Sequence, residues 1–100
     1  MYQLSFIFRP GTYDAEFERL DAQIATIAQQ TPGYLGVQTW QSADGTLHNA
    51  VYSWDHLDNL KDFSRSAAHL QAKREYARWY DGYEVIVAQV LSRYGDGRLG

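Results

Sequence analysis

Apolar and polar residues alternate along the first segment of the chain. From Tyr2 to Phe8 every even position is aromatic or aliphatic, whereas two of the three odd positions, Gln3 and Ser5, are polar. This period of two predicts a β-strand with one strongly apolar face. Arg9-Pro10-Gly11 then ends the predicted strand.

The second segment has the period of a helix. Its apolar side chains recur at spacings of three and four, at Phe17, Leu20, Ile24 and Ile27. This pattern predicts an amphipathic helix with one apolar stripe. Asp14 gives the helix an acidic start, which suits the positive end of the helix dipole, and Thr31-Pro32-Gly33 ends it.

A β-hairpin is predicted next. Residues 34–41 and 47–54 form its strands, and glycine in the Asp44-Gly45 pair supplies the positive φ that a tight turn requires. In the first of these strands we expect Tyr34, Gln38 and Trp40 on one face, and Leu35, Val37 and Thr39 on the other.

Two helical segments and a last strand complete the pattern. Asp55 is the predicted N-cap of a short helix, and Ser66 is the predicted cap of a longer one that runs through Tyr80. Gly82 fits the left-handed position after a helix end. Residues 83–94 predict a strand that is apolar on both faces, so both faces should be covered.

This order of elements predicts an α+β fold. Strand, helix, strand, strand, helix, strand is typical of a ferredoxin-like βαββαβ sandwich, in which a four-stranded antiparallel sheet carries its helices on one face. We expect one domain over residues 1–94 and a flexible tail over 95–100. The open sheet face should be too apolar for water, which predicts a homodimer; the alternative is a monomer with a half-polar outer face.

Composition narrows the class of protein. The 100 residues carry a net charge of −3 without a dense basic face, which argues against a nucleic-acid partner. The absence of cysteine excludes a disulfide framework, and no cluster of His, Asp and Glu has metal-ligand spacing, so we expect no metal. Without a signal-peptide pattern or an apolar run of roughly 20 residues, we expect a cytoplasmic protein with no membrane partner.

The second helical region contains the candidate site. On a helical wheel His69, Ala72, Tyr76 and Trp79 share one face, with Tyr80 at its edge. The small side chain of Ala72 between large aromatic rings predicts a gap. Trp54, at the end of the preceding strand, should close it. The sequence thus predicts a cavity for a small aromatic molecule, with walls formed by Trp54, Tyr76, Trp79 and Tyr80.

His69 is the candidate catalytic residue. It falls in the first turn of the helix that Ser66 caps, where the helix dipole disfavours imidazolium and keeps the ring neutral. A neutral imidazole can accept the proton of a phenolic ligand, and a phenolate gives an electron to dioxygen more readily than a phenol does. The alternative interpretation is structural: His69 packs at the helix start, and the aromatic side chains are core.

The segments taken together resemble the antibiotic biosynthesis monooxygenase family of dimeric α+β barrels. The resemblance covers residues 2–92. Its motifs are Pro32-Gly33-Tyr34-Leu35-Gly36, Asp44-Gly45, Tyr52-Ser53-Trp54, the segment 63–69 and Trp79-Tyr80. It implies a ferredoxin-like subunit that pairs into a dimeric barrel.

Two enzymatic branches of that family can be compared with this sequence. The haem-degrading branch has a tryptophan and a histidine where this chain has Phe63 and Lys73, and its asparagine is absent from the first strand. The quinone-forming branch, which uses dioxygen without a cofactor, shares Trp54. Its asparagine, tyrosine and arginine positions correspond to Ala50, Leu60 and Arg74.

Three functional hypotheses follow. The first is a cofactor-independent monooxygenase-like protein that acts on a small phenolic or quinol compound, with His69 as base and no cofactor. The second is a non-catalytic module that binds a small aromatic metabolite. The third, haem binding or degradation, has the least support in the sequence.

Overall fold

The computed structural model describes residues 1–99, which form four strands, three α-helices and one short 3-10 helix. In chain order the elements are β1 (Tyr2–Pro10), α1 (Ala15–Gln30), β2 (Tyr34–Gln41), β3 (His48–Trp54), α2 (Leu57–Ser64), α3 (Ala67–Glu75), the 3-10 helix (Tyr76–Arg78) and β4 (Tyr80–Gln89).

The four strands form one antiparallel sheet in the order β2-β3-β1-β4. Consecutive strands β1 and β2 are therefore not neighbours, because the returning strand β3 lies between them. This arrangement confirms the predicted α+β, ferredoxin-like fold.

The pairing register decides which side chains face the helices. Residues directly opposite each other in an antiparallel pair point to the same face. Leu4 lies opposite Tyr52 in β3 and Val87 in β4, and this face carries the core. Ser5, opposite Val51 and Ile86, belongs to the other face.

The face away from the helices is more polar than we expected. Its central strands carry Gln3, Ser5, Asn49 and Ser53, while its largest exposed apolar side chains are on the edge strands. These are Trp40 in β2, 58% exposed, and Ile86 in β4, 44% exposed. Strand β4 carries apolar side chains on both faces, but within a single chain both of these faces are exposed.

A bulge in β2 changes one predicted alternation. Tyr34 lies opposite Trp54 and Gly36 lies opposite Ser53, so Leu35 is the extra residue. Tyr34 therefore shares a face with Val37 rather than with Trp40, and its ring contacts Trp54 in the core.

Two groups of buried side chains join the helices to the sheet. The first contains Trp54, Phe63 and Leu60, with Leu4 and Ala28. The second contains Leu20, Ala68 and Trp79. Helix α1 contributes Leu20 to one group and Ala28 to the other, because its apolar stripe has the predicted helical spacing.

The caps differ in part from the sequence prediction. Asp14 accepts the backbone N–H of Phe17 at 2.9 Å and starts α1. Ser66 accepts the N–H of His69 at 3.3 Å, as predicted. Asp55 does not cap α2: the cap residue is His56, and the Asp55 carboxylate instead accepts a hydrogen bond from the Asn59 amide at 2.9 Å.

In the second half of the chain, the last helix ends earlier than predicted. Helix α3 ends at Glu75, and Tyr80 already belongs to β4. Gly82, with φ of 123°, lies inside this strand and not after a helix. Strand β4 ends at Gln89, before the predicted limit of residue 94.

Residues 95–99 contain neither helix nor strand, and the last position of the predicted tail, residue 100, lies outside the described residues. Within the described chain, no helix combines the length and the apolar character that crossing a membrane requires.

Candidate functional site

A cavity of about 540 Å³ lies between the sheet and the second half of the helical layer. Its volume is within the range of small-molecule sites, which is about 300–1,000 Å³. The lining is formed by the helix-facing sides of β1, β3 and β4 and by one stripe from each helix.

The two short helices contribute matching stripes. Helix α2 presents Leu57, Leu60, Lys61 and Ser64 to the cavity. Helix α3 and the first residue after it present His69, Ala72, Lys73 and Tyr76. Both sets have the spacing i, i+3, i+4, i+7, which places their members on one face of a helix.

The opposite wall is apolar and aromatic. Strands β1 and β3 contribute Leu4, Phe6 and Tyr52. Strand β4 contributes Tyr80, Tyr83, Val85 and Val87. Val85 and Val87 are 44% and 50% exposed, so the cavity is open to solvent along this part of β4.

His69 is half-buried in this lining, and its ring and that of Phe63 meet edge to face at a centroid distance of 4.4 Å. Burial, assisted by the nearby charge of Lys73, lowers the pKa of His69 to about 4. Its Nδ1 is buried without a hydrogen-bond partner. The imidazole is therefore neutral near pH 7, and the causes are burial and Lys73 rather than the helix dipole on which the prediction was based.

Two phenols on the sheet side stay protonated over an unusually wide pH range. Burial raises the pKa of Tyr52 to about 12, and it raises the pKa of Tyr80 further. The carboxylate of Asp21, on α1, lies near enough to both phenols to add to both shifts. Burial also raises the pKa of Asp21 itself. Tyr52 and Tyr80 can donate hydrogen bonds to an oxygen atom of a ligand.

The structure brings three of the predicted site residues together: His69, Tyr76 and Tyr80 all line the cavity. Ala72, whose small side chain predicted a gap, lies between His69 and Tyr76 in the same lining. Tyr76 is 40% exposed, and its ring and that of Tyr83 meet edge to face with centroids 4.9 Å apart. Tyr80 reaches the cavity from β4 and not from a helix.

The two tryptophans that we expected to form walls lie in the core instead. Trp54 is fully buried between Tyr34 and Phe63, with ring centroids 5.0 Å from each. Trp79 is 1% exposed and packs on Leu20. Neither ring lines the cavity.

The position of Trp79 has a local cause. Because α3 ends at Glu75, the 3-10 turn rotates the chain before Trp79, which leaves the face it would have occupied on a continuous helix. Its indole N–H then donates to Asp14 at 2.9 Å, which ties the end of this turn to the start of α1.

Sequence reasoning missed Tyr52, Asp21 and Lys61 as cavity residues. Tyr52 could have been found from the alternation of β3, since it shares a face with Trp54. Lys61 follows from the spacing of α2. Asp21 had no usable signal, because it lies at the edge of the apolar stripe of α1.

The positions compared with the two enzymatic branches are scattered. Ala50 faces the helices with Trp54 but does not line the cavity, Leu60 lines it, and Arg74 does not. Phe63 is buried in the core, whereas Lys73 lines the cavity. Over residues 1–99, no three His, Asp or Glu side chains are grouped so that they could hold a metal ion.

Comparison with known sequences gives one informative relative. No family model matches the chain. The uncharacterised protein YqjZ of Bacillus subtilis is 33% identical over 91 residues, which cover 89% of this chain and 78% of YqjZ.

Comparison with solved structures gives the fold. Rv0793 from Mycobacterium tuberculosis superposes with a TM-score of 0.74 at 16% identity, over 94% of this chain and 98% of its own. A candidate antibiotic biosynthesis monooxygenase from Nitrosomonas europaea gives 0.69 at 18% identity, over 92% and 100%. SnoaB from Streptomyces nogalater, a cofactor-independent oxygenase, gives 0.70 at 15% identity, over 96% of each chain.

Proposed function

Since the chain belongs to the family of YqjZ and has the fold of the antibiotic biosynthesis monooxygenases, we propose that it is a cofactor-independent monooxygenase-like protein acting on a small phenolic or quinol compound. One observation carries this proposal: a neutral histidine, His69, lines a cavity of ligand size with aromatic walls. SnoaB, which shares the fold, is a cofactor-independent oxygenase and supports the same class of reaction.

The reaction needs only the substrate and dioxygen. The phenol loses two hydrogen atoms and gains one oxygen atom at a ring carbon, so that a quinone forms. The second oxygen atom of dioxygen leaves as water. The protein contributes by holding the phenol against the apolar sheet wall and by receiving its proton at His69 as the electron leaves.

The low pKa of His69 limits how this proton can move. An ordinary phenol has a pKa near 10, about 6 units above that of His69, so complete transfer before oxidation costs roughly 8 kcal/mol. A phenol becomes far more acidic as it loses an electron. His69 therefore acts when proton and electron leave together, while Tyr52 and Tyr80 can donate hydrogen bonds to the dioxygen, on which the negative charge develops.

The weak basicity of His69 also favours a second candidate. A cavity with a poor base can bind a small aromatic metabolite without converting it, which is the function of a non-catalytic binding module. The two candidates differ in turnover and not in affinity.

Oxygen consumption with a panel of hydroquinones and naphthols tests the enzymatic proposal. We expect uptake that is lost in His69→Ala and retained in His48→Ala, because His48 contacts Phe8 and does not line the cavity. Binding of the same compounds without oxygen uptake in the unmodified protein would establish the binding module instead.

We also propose that the protein works as a cytoplasmic homodimer. Support comes from β4, whose side chains are exposed on both faces, and from the exposed edge-strand residues Trp40 and Ile86. Sedimentation velocity should give a dimer for the unmodified chain and for Leu70→Lys, a helix-surface control, but a monomer for Ile86→Arg. A monomer in all three overturns the assembly proposal.

A further inference from the structure

Both lysines of the chain line the cavity. All other cationic side chains, apart from histidines, are arginines, and none of them belongs to the lining. Lys61 and Lys73 occupy the same position, i+4, in the matching stripes of α2 and α3. Both lysines are also exposed, so two neighbouring helices each place one lysine where the helix side of the same cavity meets solvent.

Neither ammonium is neutralised by the protein. Within residues 1–99, Arg19 pairs with Glu16, and Arg78 pairs with Asp14 and Glu75, but no carboxylate pairs with Lys61 or Lys73. The cavity has one carboxylate of its own, Asp21, which lies on α1 near the phenols. With His69 neutral, the lining from α2 and α3 is therefore cationic, whereas α1 contributes the carboxylate of Asp21.

The wall across the cavity from the two lysines is apolar. Phe6, Val85 and Val87 face the helices across the cavity and offer no charged group. A ligand that satisfies both sides has a flat apolar body and a negative group at one end. Lys73 lies one turn after His69 on the same stripe, so the negative group would sit beside the imidazole.

We infer that the cavity binds its aromatic ligand as an anion, with the ring system against β1 and β4 and an anionic oxygen group, a carboxylate or an ionised acidic hydroxyl, held by Lys61 and Lys73. This inference rests on the proposed function in taking the cavity as the ligand site, and it goes further by stating the charge of the ligand.

A pair of fluorescent probes that differ by one charge tests the inference. Anilinonaphthalene sulfonate is anionic, and phenylnaphthylamine is its neutral analogue without the sulfonate. For Lys61→Gln/Lys73→Gln we expect the affinity for the anionic probe to fall about tenfold, while the affinity for the neutral probe changes less than about twofold.

The matched control removes the same charge from the same helical region. Arg65 and Arg74 are exposed, lie close to the two lysines in the chain and do not line the cavity. Arg65→Gln/Arg74→Gln should leave the affinity for both probes nearly unchanged. An equal loss of anionic-probe affinity in the lysine and arginine variants would show a general charge effect and overturn the inference.

The source of the negative charge is distinguished with naphthoate and naphthol. Carboxylate recognition predicts that naphthoate binds tighter than naphthol at neutral pH, whereas recognition of an ionised hydroxyl predicts that naphthol affinity rises as naphthol ionises. Either advantage must disappear in the lysine variant. If neither compound gains affinity from its charge while neutral aromatic compounds bind, the inference fails and the proposed function survives; if no aromatic compound binds, the proposed function fails as well.

Discussion

Two regions between the sheet and the helices, one around Trp54 and one around His69, contain similar aromatic residues but differ in how tightly these residues pack. Around Trp54, aromatic rings pack against one another and against α1 until no space remains. Around His69, similar rings surround a cavity of about 540 Å³. Phe63 belongs to both regions, since its ring centroid lies 5.0 Å from that of Trp54 and 4.4 Å from that of His69.

The cause of the difference is coverage by helices. The apolar stripe of α1 inserts Leu20 and Ala28 into the two buried groups, so the rings beside it are enclosed. Strand β4, at the edge of the sheet, has no such cover, and Tyr83 and Val85 remain 44% exposed. An aromatic side chain in this fold is therefore core or cavity wall according to how far the helices cover it, and the residue type alone does not decide.

The largest contrast is expected from truncating one ring of each region. Trp54→Ala should lower the free energy of unfolding by about 3–5 kcal/mol, because a buried ring is lost and a cavity forms in its place. Tyr76→Ala should lower it by less than about 1 kcal/mol, since Tyr76 is 40% exposed at the cavity. Urea denaturation followed by far-UV circular dichroism measures both. Equal losses would mean that the cavity wall is as tightly packed as the core.

Most of the fold could be predicted because its signals are local. The alternation of β1, the apolar stripe of α1 and the glycine turn at Asp44-Gly45 each specify an element, and the order of the elements leaves few topologies. The errors occur where tertiary contacts override local preference. The bulge at Leu35 and the early end of α3 at Glu75 both place an aromatic ring in the core, Tyr34 in the first case and Trp79 in the second.

The candidate site was predicted in part for the same reason. Helical spacing brings His69 and Tyr76 to one face as long as the helix continues. Trp79 lies beyond the helix end, and Trp54 is enclosed by residues from other elements, so spacing could not place either ring. The unpaired lysines could not be recognised either, because pairing depends on carboxylates from distant parts of the chain.

A second contrast separates a half-buried histidine, His69, from an exposed one, His56. The pKa of His69 falls from an ordinary 6.5 to about 4 in the folded protein, so the unfolded chain binds a proton more readily between these values. Stability from this group is therefore complete above pH 6.5 and is lost as the pH falls towards 4, by about 3 kcal/mol in total.

The variant His69→Gln isolates this contribution from that of the acidic residues. Urea denaturation between pH 7.5 and 4, values chosen to span roughly the two pKa limits, should show a smaller loss of stability in His69→Gln than in the unmodified protein. His56→Gln is the control, because the side chain of His56 is 77% exposed. If the His69 variant loses stability as steeply as the unmodified protein, the imidazole is not desolvated and the neutral-base argument fails.

The smallest contrast adds a side chain instead of removing one. Ala28 is 1% exposed in the core, and Ala72 lines the cavity. Ala28→Leu should overpack the core and lower the free energy of unfolding by about 1–3 kcal/mol. Ala72→Leu has free volume to occupy, so its stability should change by less than about 0.5 kcal/mol while the affinity for phenylnaphthylamine falls. Denaturation and probe titration on the same two variants test this directly. If Ala72→Leu is destabilised, or if it binds the probe as well as the unmodified protein does, Ala72 does not border the space in which the ligand lies.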